Sequence, residues 1–215
     1  MLLLTSMLTL AFNIQSAKAS GTIYIRADGS IEPSTAPIST VDNVTYIFTD
    51  DIYDSIVVER DNIAVDGAGY TVQGTGSGTG ISLSGRSNVT VQNTNIKNFG
   101  TGIWLESSPN NSLVGNNITH NSYDGIKLWR SSNYNSISGN NITNNDFGIW
   151  LFGSLNNSVV GSNIIDNHLG IYLYDYSNYN SIVGNVFVND GVTVYDSYGN
   201  VVVDNLVNSK PLGIP

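Results

Sequence analysis

The 215-residue chain carries 8 Lys and Arg residues against 17 Asp and Glu residues, a formal net charge of −9, and it contains no Cys. The acidic balance argues against a nucleic-acid partner, because the chain has no basic stripe to displace counterions from phosphates. Without Cys, the chain can form no disulfide and no Cys-ligated metal site. The 22 Gly and 29 Asn residues favour turns and, beside many Val, Ile and Leu residues, predict many short strands.

The first 19 residues are interpreted as an export signal. Residues 2–12 are uncharged and mostly apolar, and Ala17 and Ala19 provide the small residues of a cleavage site before Ser20. The apolar run is shorter than the roughly 20 residues that a membrane-spanning helix needs, and we expect no membrane span after the signal is removed. A secreted, periplasmic or cell-surface location follows. Residues 20–42 are interpreted as an N-terminal lead-in or cap.

Residues 43–215 are predicted to form a repeat domain of about eight rungs, each 20–26 residues long. The copies from Asn111 and Asn135, for example, begin NSLVGNNITHN and NSISGNNITNN. The copy from Asn200 is incomplete, and an open rung exposes apolar side chains and strand edges. We therefore expect either a fragment of a longer protein or end-to-end self-association.

Three apolar columns recur in the copies and predict an all-β parallel β-helix, a solenoid in which equivalent side chains stack along the axis. No copy shows the Leu-x-x-Leu-x-Leu-x-x-Asn pattern of a leucine-rich repeat. The first column holds Val65, Val91, Leu113, Ile137, Val159, Ile182 and Val202, and the second holds Tyr70, Ile96, Ile118, Ile142, Ile164, Phe187 and Val207. The third column is the Ile and Leu of a Gly-Ile-x-Leu element, two residues apart and therefore on one side of a strand. A polar column is interpreted as a hydrogen-bonded ladder at a bend and holds Thr94, Asn116, Asn140, Ser162, Asn185 and Asn205.

The residues that alternate with this Ile and Leu point outward, and we call the surface they form the aromatic face. It carries all three Trp residues at positions where Thr, Ser and Lys are usual. Two interpretations are open: a stacked structural ladder, or a platform for sugar rings or a partner protein. The candidate ligand-binding residues are Trp104, Glu106, Lys127, Trp129, Arg130, Trp150, Phe152, Tyr172, Tyr174 and Tyr195.

The lines N-S-x-x-G-N-N-I-T-x-N and G-I-x-L-x-x-S resemble the right-handed parallel β-helix repeats of NosD-like proteins, over about residues 43–210. The resemblance implies an exported protein related to carbohydrate-binding and sugar-hydrolase β-helices, and the family name carries a copper association. Copper sites use His, Cys or Met ligands. Beyond the export signal the chain offers only His120 and His168, in exposed turns two rungs apart. We therefore expect no metal and no cofactor.

Enzymes of this shape need clustered catalytic groups, such as the two or three Asp residues of hydrolases. Here the acidic residues are scattered over turns, and Asp124 and Asp190 each precede a Gly, which is typical of a turn. The sequence favours a non-catalytic, exported surface or binding module that contacts polysaccharide or glycan through the aromatic face. The alternatives are a carbohydrate-active enzyme, either a polysaccharide lyase or a glycoside hydrolase, and a structural spacer of a larger cell-surface protein.

Overall fold

The computed structural model describes residues 21–208 and 210–211, and the predicted export signal at 1–19 lies outside these residues. All the described elements are β-strands, and they form three sheets, which we call A, B and C. The described part of the chain has no helix that is long and apolar enough to cross a membrane.

Each sheet runs along most of the solenoid. Sheet A comprises β1 (Ile23–Ile25), β2 (Ile31–Glu32), β5 (Ile56–Val58), β8 (Thr79–Ser82), β11 (Thr101–Glu106), β14 (Asp124–Trp129), β17 (Phe147–Phe152), β20 (Leu169–Tyr174) and β23 (Val192–Tyr195). Sheet B comprises β3 (Ile38–Ser39), β4 (Thr45–Phe48), β6 (Ala64–Asp66), β9 (Thr90–Gln92), β12 (Ser112–Val114), β15 (Ser136–Ser138), β18 (Ser158–Val160), β21 (Ser181–Val183) and β24 (Val201–Val203). Sheet C comprises β7 (Thr71–Gln73), β10 (Asn95–Lys97), β13 (Asn117–Thr119), β16 (Asn141–Thr143), β19 (Asn163–Ile165), β22 (Val186–Val188), β25 (Leu206–Val207) and β26 (Lys210–Pro211).

A regular turn of chain passes through sheet B, then sheet C, then sheet A, and each strand pairs in parallel with its equivalent in the next turn. The pairing keeps strict register, so that Ile96 lies opposite Ile118, which lies opposite Ile142. Among the described strands, antiparallel pairs occur only at sheet ends, through β2, β3 and β26. This arrangement confirms the predicted all-β, right-handed parallel β-helix.

The solenoid has about seven turns, so the prediction of about eight rungs was slightly too high. The copy from Asn200 supplies β24 and β25 but no described strand of sheet A, and β26 folds back antiparallel on β25. Near the other end β1 pairs in parallel with β5, so sheet A begins within residues 20–42, the predicted lead-in. End-to-end self-association stays a prediction.

The predicted apolar columns form the buried core, with one error in the second column, and with Val202 and Val207 of the last copy only partly buried. Val72, and not Tyr70, lies opposite Ile96 and is buried, whereas Tyr70 is 37% exposed. Four residues separate β6 from β7, whereas two separate β9 from β10, so the five-residue spacing between the columns fails at this turn. The longer turn contains Ala68 and Gly69 at positive φ.

Buried Asn side chains form ladders at all three corners of the solenoid. Between sheets B and C, Oδ1 of Asn140 accepts from the backbone N of Asn116 at 2.9 Å, and its Nδ2 donates to the carbonyl O of Leu113 at 2.9 Å. An amide both donates and accepts, so it satisfies backbone groups where the chain turns out of a sheet. This confirms the predicted ladder. Two ladders that the sequence prediction missed hold Asn111, Asn135, Asn157 and Asn180 between sheets A and B, and Asn121, Asn145 and Asn167 between sheets C and A.

Asn140→Ala should lower the free energy of unfolding by about 2–4 kcal/mol, because it leaves the buried backbone N–H of Asn116 and the carbonyl of Leu113 without these partners. The matched control is Asn163→Ala, at an exposed position of sheet C, which should change that free energy by less than about 0.5 kcal/mol. Urea unfolding followed by circular dichroism measures both variants. Equal losses would contradict the ladder role of Asn140.

Candidate functional site

The outward positions of sheet A stack in register, as the strand alternation predicted. Trp104 lies opposite Lys127, and Lys127 lies opposite Trp150. The neighbouring column holds Glu106, Trp129, Phe152, Tyr174 and Tyr195. Every predicted candidate residue except Arg130 therefore shares one surface, and the exposed Arg130 follows Trp129 at its margin.

A third outward column belongs to the same face and was missed by the sequence prediction. Strict alternation would place Asp124 on the inner side with Ile126, but a Cβ added to Gly125 would lie 2.6 Å from the carbonyl O of Gly148 and 2.9 Å from the buried side chain of Ile142. Gly125 and Ile126 thus both face the core, so the alternation is broken at Gly125, and the Asp124 side chain lies on the outer side with its Oδ2 3.5 Å from Nζ of Lys127. The turn position predicted for Asp124 is wrong, because this residue begins β14 and is 1% exposed. The column holds Thr101, Asp124, Phe147 and Leu169.

The aromatic rings of this face form one continuous cluster. Trp129 stacks on Phe152 with 4.0 Å between ring centroids and meets Trp150 edge-on at 5.7 Å. Phe147, from the third column, stacks on Trp150 at 4.9 Å. Further ring contacts extend the cluster to Trp104, Tyr172, Tyr174 and Tyr195. The cluster spans five successive strands of sheet A, or roughly 20 Å at about 4.8 Å per strand.

Lys127 lies among the three Trp rings. Its Nζ is 3.9 Å from the ring centroid of Trp150, 4.8 Å from that of Trp129 and 5.2 Å from that of Trp104. The same atom lies 3.5 Å from Oδ2 of Asp124, and the Lys127 side chain is only 12% exposed. An ammonium group is attracted to the faces of aromatic rings as well as to a carboxylate. The charge of Lys127 is therefore stabilised within the face.

Asp124 is the buried anion beside this lysine. Its Oδ2 accepts a hydrogen bond from Oγ1 of Thr101 at 3.0 Å, whereas its Oδ1 is buried and has no hydrogen-bond partner among the described residues. Burial raises the pKa of Asp124 above its ordinary value, although the positive charge of Lys127 opposes the change. The folded protein therefore holds a proton on Asp124 more readily than the unfolded chain does.

Asp124→Asn should gain stability relative to the wild type as the pH rises. Below the ordinary pKa of 3.8 the carboxyl is protonated in both the folded and the unfolded chain. As the pH rises from there through the higher pKa of the folded state, the wild type loses stability that the Asn variant keeps. Urea unfolding at about pH 3.5 and about pH 7.5 measures the difference. Asp204→Asn, in an exposed turn, corrects for the loss of one formal charge. A variant that loses relative stability as the pH rises would contradict the dominance of burial over the ion pair.

These features define a right-handed parallel β-helix protein with an aromatic strip along one sheet. Three solved structures are similar in fold. The match to the periplasmic alginate epimerase AlgG has a TM-score of 0.53 and 18% sequence identity, and covers 75% of this chain and 47% of that chain. The match to the A-module of the Azotobacter vinelandii mannuronan C-5 epimerase AlgE6 has a TM-score of 0.58 and 13% identity, and covers 80% of this chain and 58% of that chain. The match to the Dettilon tailspike protein gp208 has a TM-score of 0.53 and 20% identity, and covers 75% of this chain and 42% of that chain. The chain thus spans about half the length of these structures, and likeness at such identities establishes the fold alone.

The family described as periplasmic copper-binding protein (NosD) matches residues 13–211. Because this match covers most of the sequence, the chain belongs to the NosD family, a family of periplasmic proteins, and the predicted resemblance is confirmed. No match was found among the curated proteins.

The donor atoms of the described residues do not fit the copper of the family description. The chain has no Cys, and its Met1 and Met7 lie outside the described residues. His120 and His168 are both exposed, as predicted, and Nδ1 of His120 is hydrogen-bonded to Oγ1 of Thr119 at 2.7 Å. Between residues 21 and 208, no three His, Cys, Asp or Glu side chains lie close enough to hold a metal ion. Copper sites are built from several converging His, Cys or Met ligands, and these two histidines do not supply one.

We expect copper to leave the stability of a chain beginning at Ser20 unchanged, because that chain has only two soft or borderline ligands, in separate turns. Thermal unfolding with and without one equivalent of Cu(II), or of Cu(I) under reducing conditions, measures the effect. The double variant His120→Ala with His168→Ala is the control for adventitious binding. Tight, stoichiometric copper binding that the double variant abolishes would contradict this expectation.

Proposed function

We propose that this protein is an exported, non-catalytic module of the periplasm that holds a polysaccharide along its aromatic face. The observation that carries the proposal is the continuous ring cluster on the outer side of sheet A, where side chains are usually polar. The rings of Trp104, Trp129 and Trp150 are partly exposed, and Tyr195 is 61% exposed. Sugar rings have apolar faces that stack on such side chains.

The dimensions of the cluster suit a chain of several sugar units. The rings follow one another at the spacing of the strands, so the strip is straight and roughly 20 Å long. Glu106 lies opposite Trp129 in the same column and Arg130 follows Trp129, so both place polar atoms for sugar hydroxyls beside the strip. The strands that carry these rings pair with neighbouring strands of sheet A, which holds the side chains in place. The side chains would therefore lose little conformational freedom on binding.

The structural neighbours give precedent for contact with polysaccharide on this fold. The names of two of them, alginate epimerase and mannuronan C-5 epimerase, state that they act on such polymers. They share only the fold with this chain, so they support glycan contact and carry no reaction over to it.

A carbohydrate-active enzyme is the second candidate, and the raised pKa of Asp124 beside Lys127 favours it, since a general acid needs such a shift. A catalytic carboxyl must also reach the glycosidic bond. Asp124 is 1% exposed and its Oδ2 is bound by Thr101 and Lys127. For this reason we place the binding module first.

Trp129→Ala should weaken binding of the polysaccharide at least tenfold, about 1.4 kcal/mol, because an aromatic anchor carries a large share of binding energy. The ligand is found by a glycan screen of the wild-type protein, and isothermal titration calorimetry measures the change. Trp129→Phe keeps a ring against Phe152 and should retain most of the affinity. Tyr70→Ala, an aromatic side chain at the start of sheet C, is the control and should bind as the wild type does.

Three outcomes would count against the binding module. A blank glycan screen together with unfolding of Trp129→Ala would identify the cluster as a structural ladder. Equal loss of affinity in Tyr70→Ala would place the ligand elsewhere. New reducing ends, unsaturated sugars or epimerised units in the bound polymer, absent with Asp124→Asn, would identify the protein as an enzyme.

A further inference from the structure

We propose that the aromatic face takes an uncharged polysaccharide and rejects polyuronates. This inference rests on the proposed function and names the class of its ligand. It differs from what the structural neighbours would suggest, since alginate and mannuronan are polyanions with one carboxylate on each sugar. The argument depends on where the charges of the face lie and on which of them are already paired.

The central cation of the face is already neutralised. Nζ of Lys127 lies 3.5 Å from Oδ2 of Asp124, and three Trp rings surround it within 5.2 Å. A carboxylate on a sugar would have to displace Asp124 or pass the rings to reach the ammonium group. Because its ammonium group is already paired within the protein, Lys127 stabilises the packing of the Trp rings and attracts an incoming anion only weakly.

The margins of the face are acidic. Along the edge that follows the Trp129 column, successive turns place Arg130, Gly153, Asp175 and Asp196. Asp146 precedes Phe147 on the opposite edge and acts electrostatically on Asp124. Residues 101–196, which include the whole cluster, contain two basic residues, Lys127 and Arg130. The same stretch contains seven acidic residues: Glu106, Asp124, Asp146, Asp175 and Asp196 lie on or beside the face, whereas Asp166 and Asp190 follow strands of sheet C.

A polyuronate would meet this surface with like charge. Over the roughly 20 Å of the cluster it would bring several carboxylates, and the one exposed cation within residues 101–196 is Arg130. Carboxylates that lie against aromatic rings lose hydration, and without a paired cation this loss is not recovered. The net charge of −9 on the chain adds long-range repulsion. A neutral sugar meets none of these costs and gains the same stacking on the rings.

The test uses two pairs of oligosaccharides, each matched in linkage and length, in which one member carries carboxylates and the other is uncharged. The first pair is β-1,4-linked mannohexaose and the β-1,4-linked mannuronate hexamer, which is the same sugar oxidised at C6. The second pair is an α-1,4-linked galacturonate hexamer and its fully methyl-esterified form. We expect the uncharged member of any pair that binds the wild-type protein to bind at least tenfold more tightly in low salt. The difference should shrink in about 0.5 M NaCl, because salt screens the repulsion.

Asp124→Asn is the informative variant, since it leaves the charge of Lys127 without its carboxylate partner. This variant should lower the ratio of the dissociation constants of the charged and uncharged members at least threefold. Asp204→Asn removes one negative charge from an exposed turn between sheets B and C and should leave this ratio unchanged.

A charged member that binds as tightly as its uncharged partner, or more tightly, overturns the inference and leaves the proposed function standing. If none of the four oligosaccharides binds, the ligands found in the glycan screen decide. Neutral ligands alone support the inference, and anionic ligands overturn it. A screen without any ligand overturns both the inference and the proposed function.

Discussion

The hydrogen bond from a buried Asn amide to the backbone of the neighbouring turn is the interaction on which this solenoid depends. At each corner the chain leaves one sheet, and its N–H and C=O groups lose the partners that a strand would provide. The amide of Asn140 replaces them, and the amides of Asn180 and Asn167 do the same at the other two corners. Because each amide binds the equivalent point one turn away, the ladders favour stacking in strict register.

Register is what makes a functional surface from short repeats. Once equivalent residues stack, each outward position becomes a column along the axis, and a change of residue type in one copy changes one point of that column. Trp104, Lys127 and Trp150 occupy the same position in successive turns, which places an ammonium group between indole rings. The inner columns stay apolar while the outer ones vary, so the core and the surface can be specified almost independently.

The charge balance of the aromatic face follows from the same geometry. A lysine between indole rings is partly desolvated and gains from a nearby anion. The break in alternation at Gly125 brings the Asp124 carboxylate to the outer side, 3.5 Å from the Lys127 ammonium group. Asp124 is buried at this position, and burial raises the pKa of its carboxyl group. Membership of the NosD family accounts for the solenoid and places the chain in a periplasmic family. The described residues provide no donor set that fits the copper in the family description.

The sequence alone determined the period, the inner columns and the register of the Trp104 and Trp129 columns, because in a solenoid the spacing between copies is also the spacing between stacked residues. It failed where a turn changed length, as between β6 and β7, since the five-residue rule then selected Tyr70 in place of Val72. It also failed at Asp124, because strict alternation does not hold at Gly125, where two successive residues face the inner side. Only the tertiary structure decided that Asp124 and Lys127 of β14 meet Phe147 of β17 on one face, since this depends on the outward direction of Asp124 and on how two neighbouring turns lie against one another.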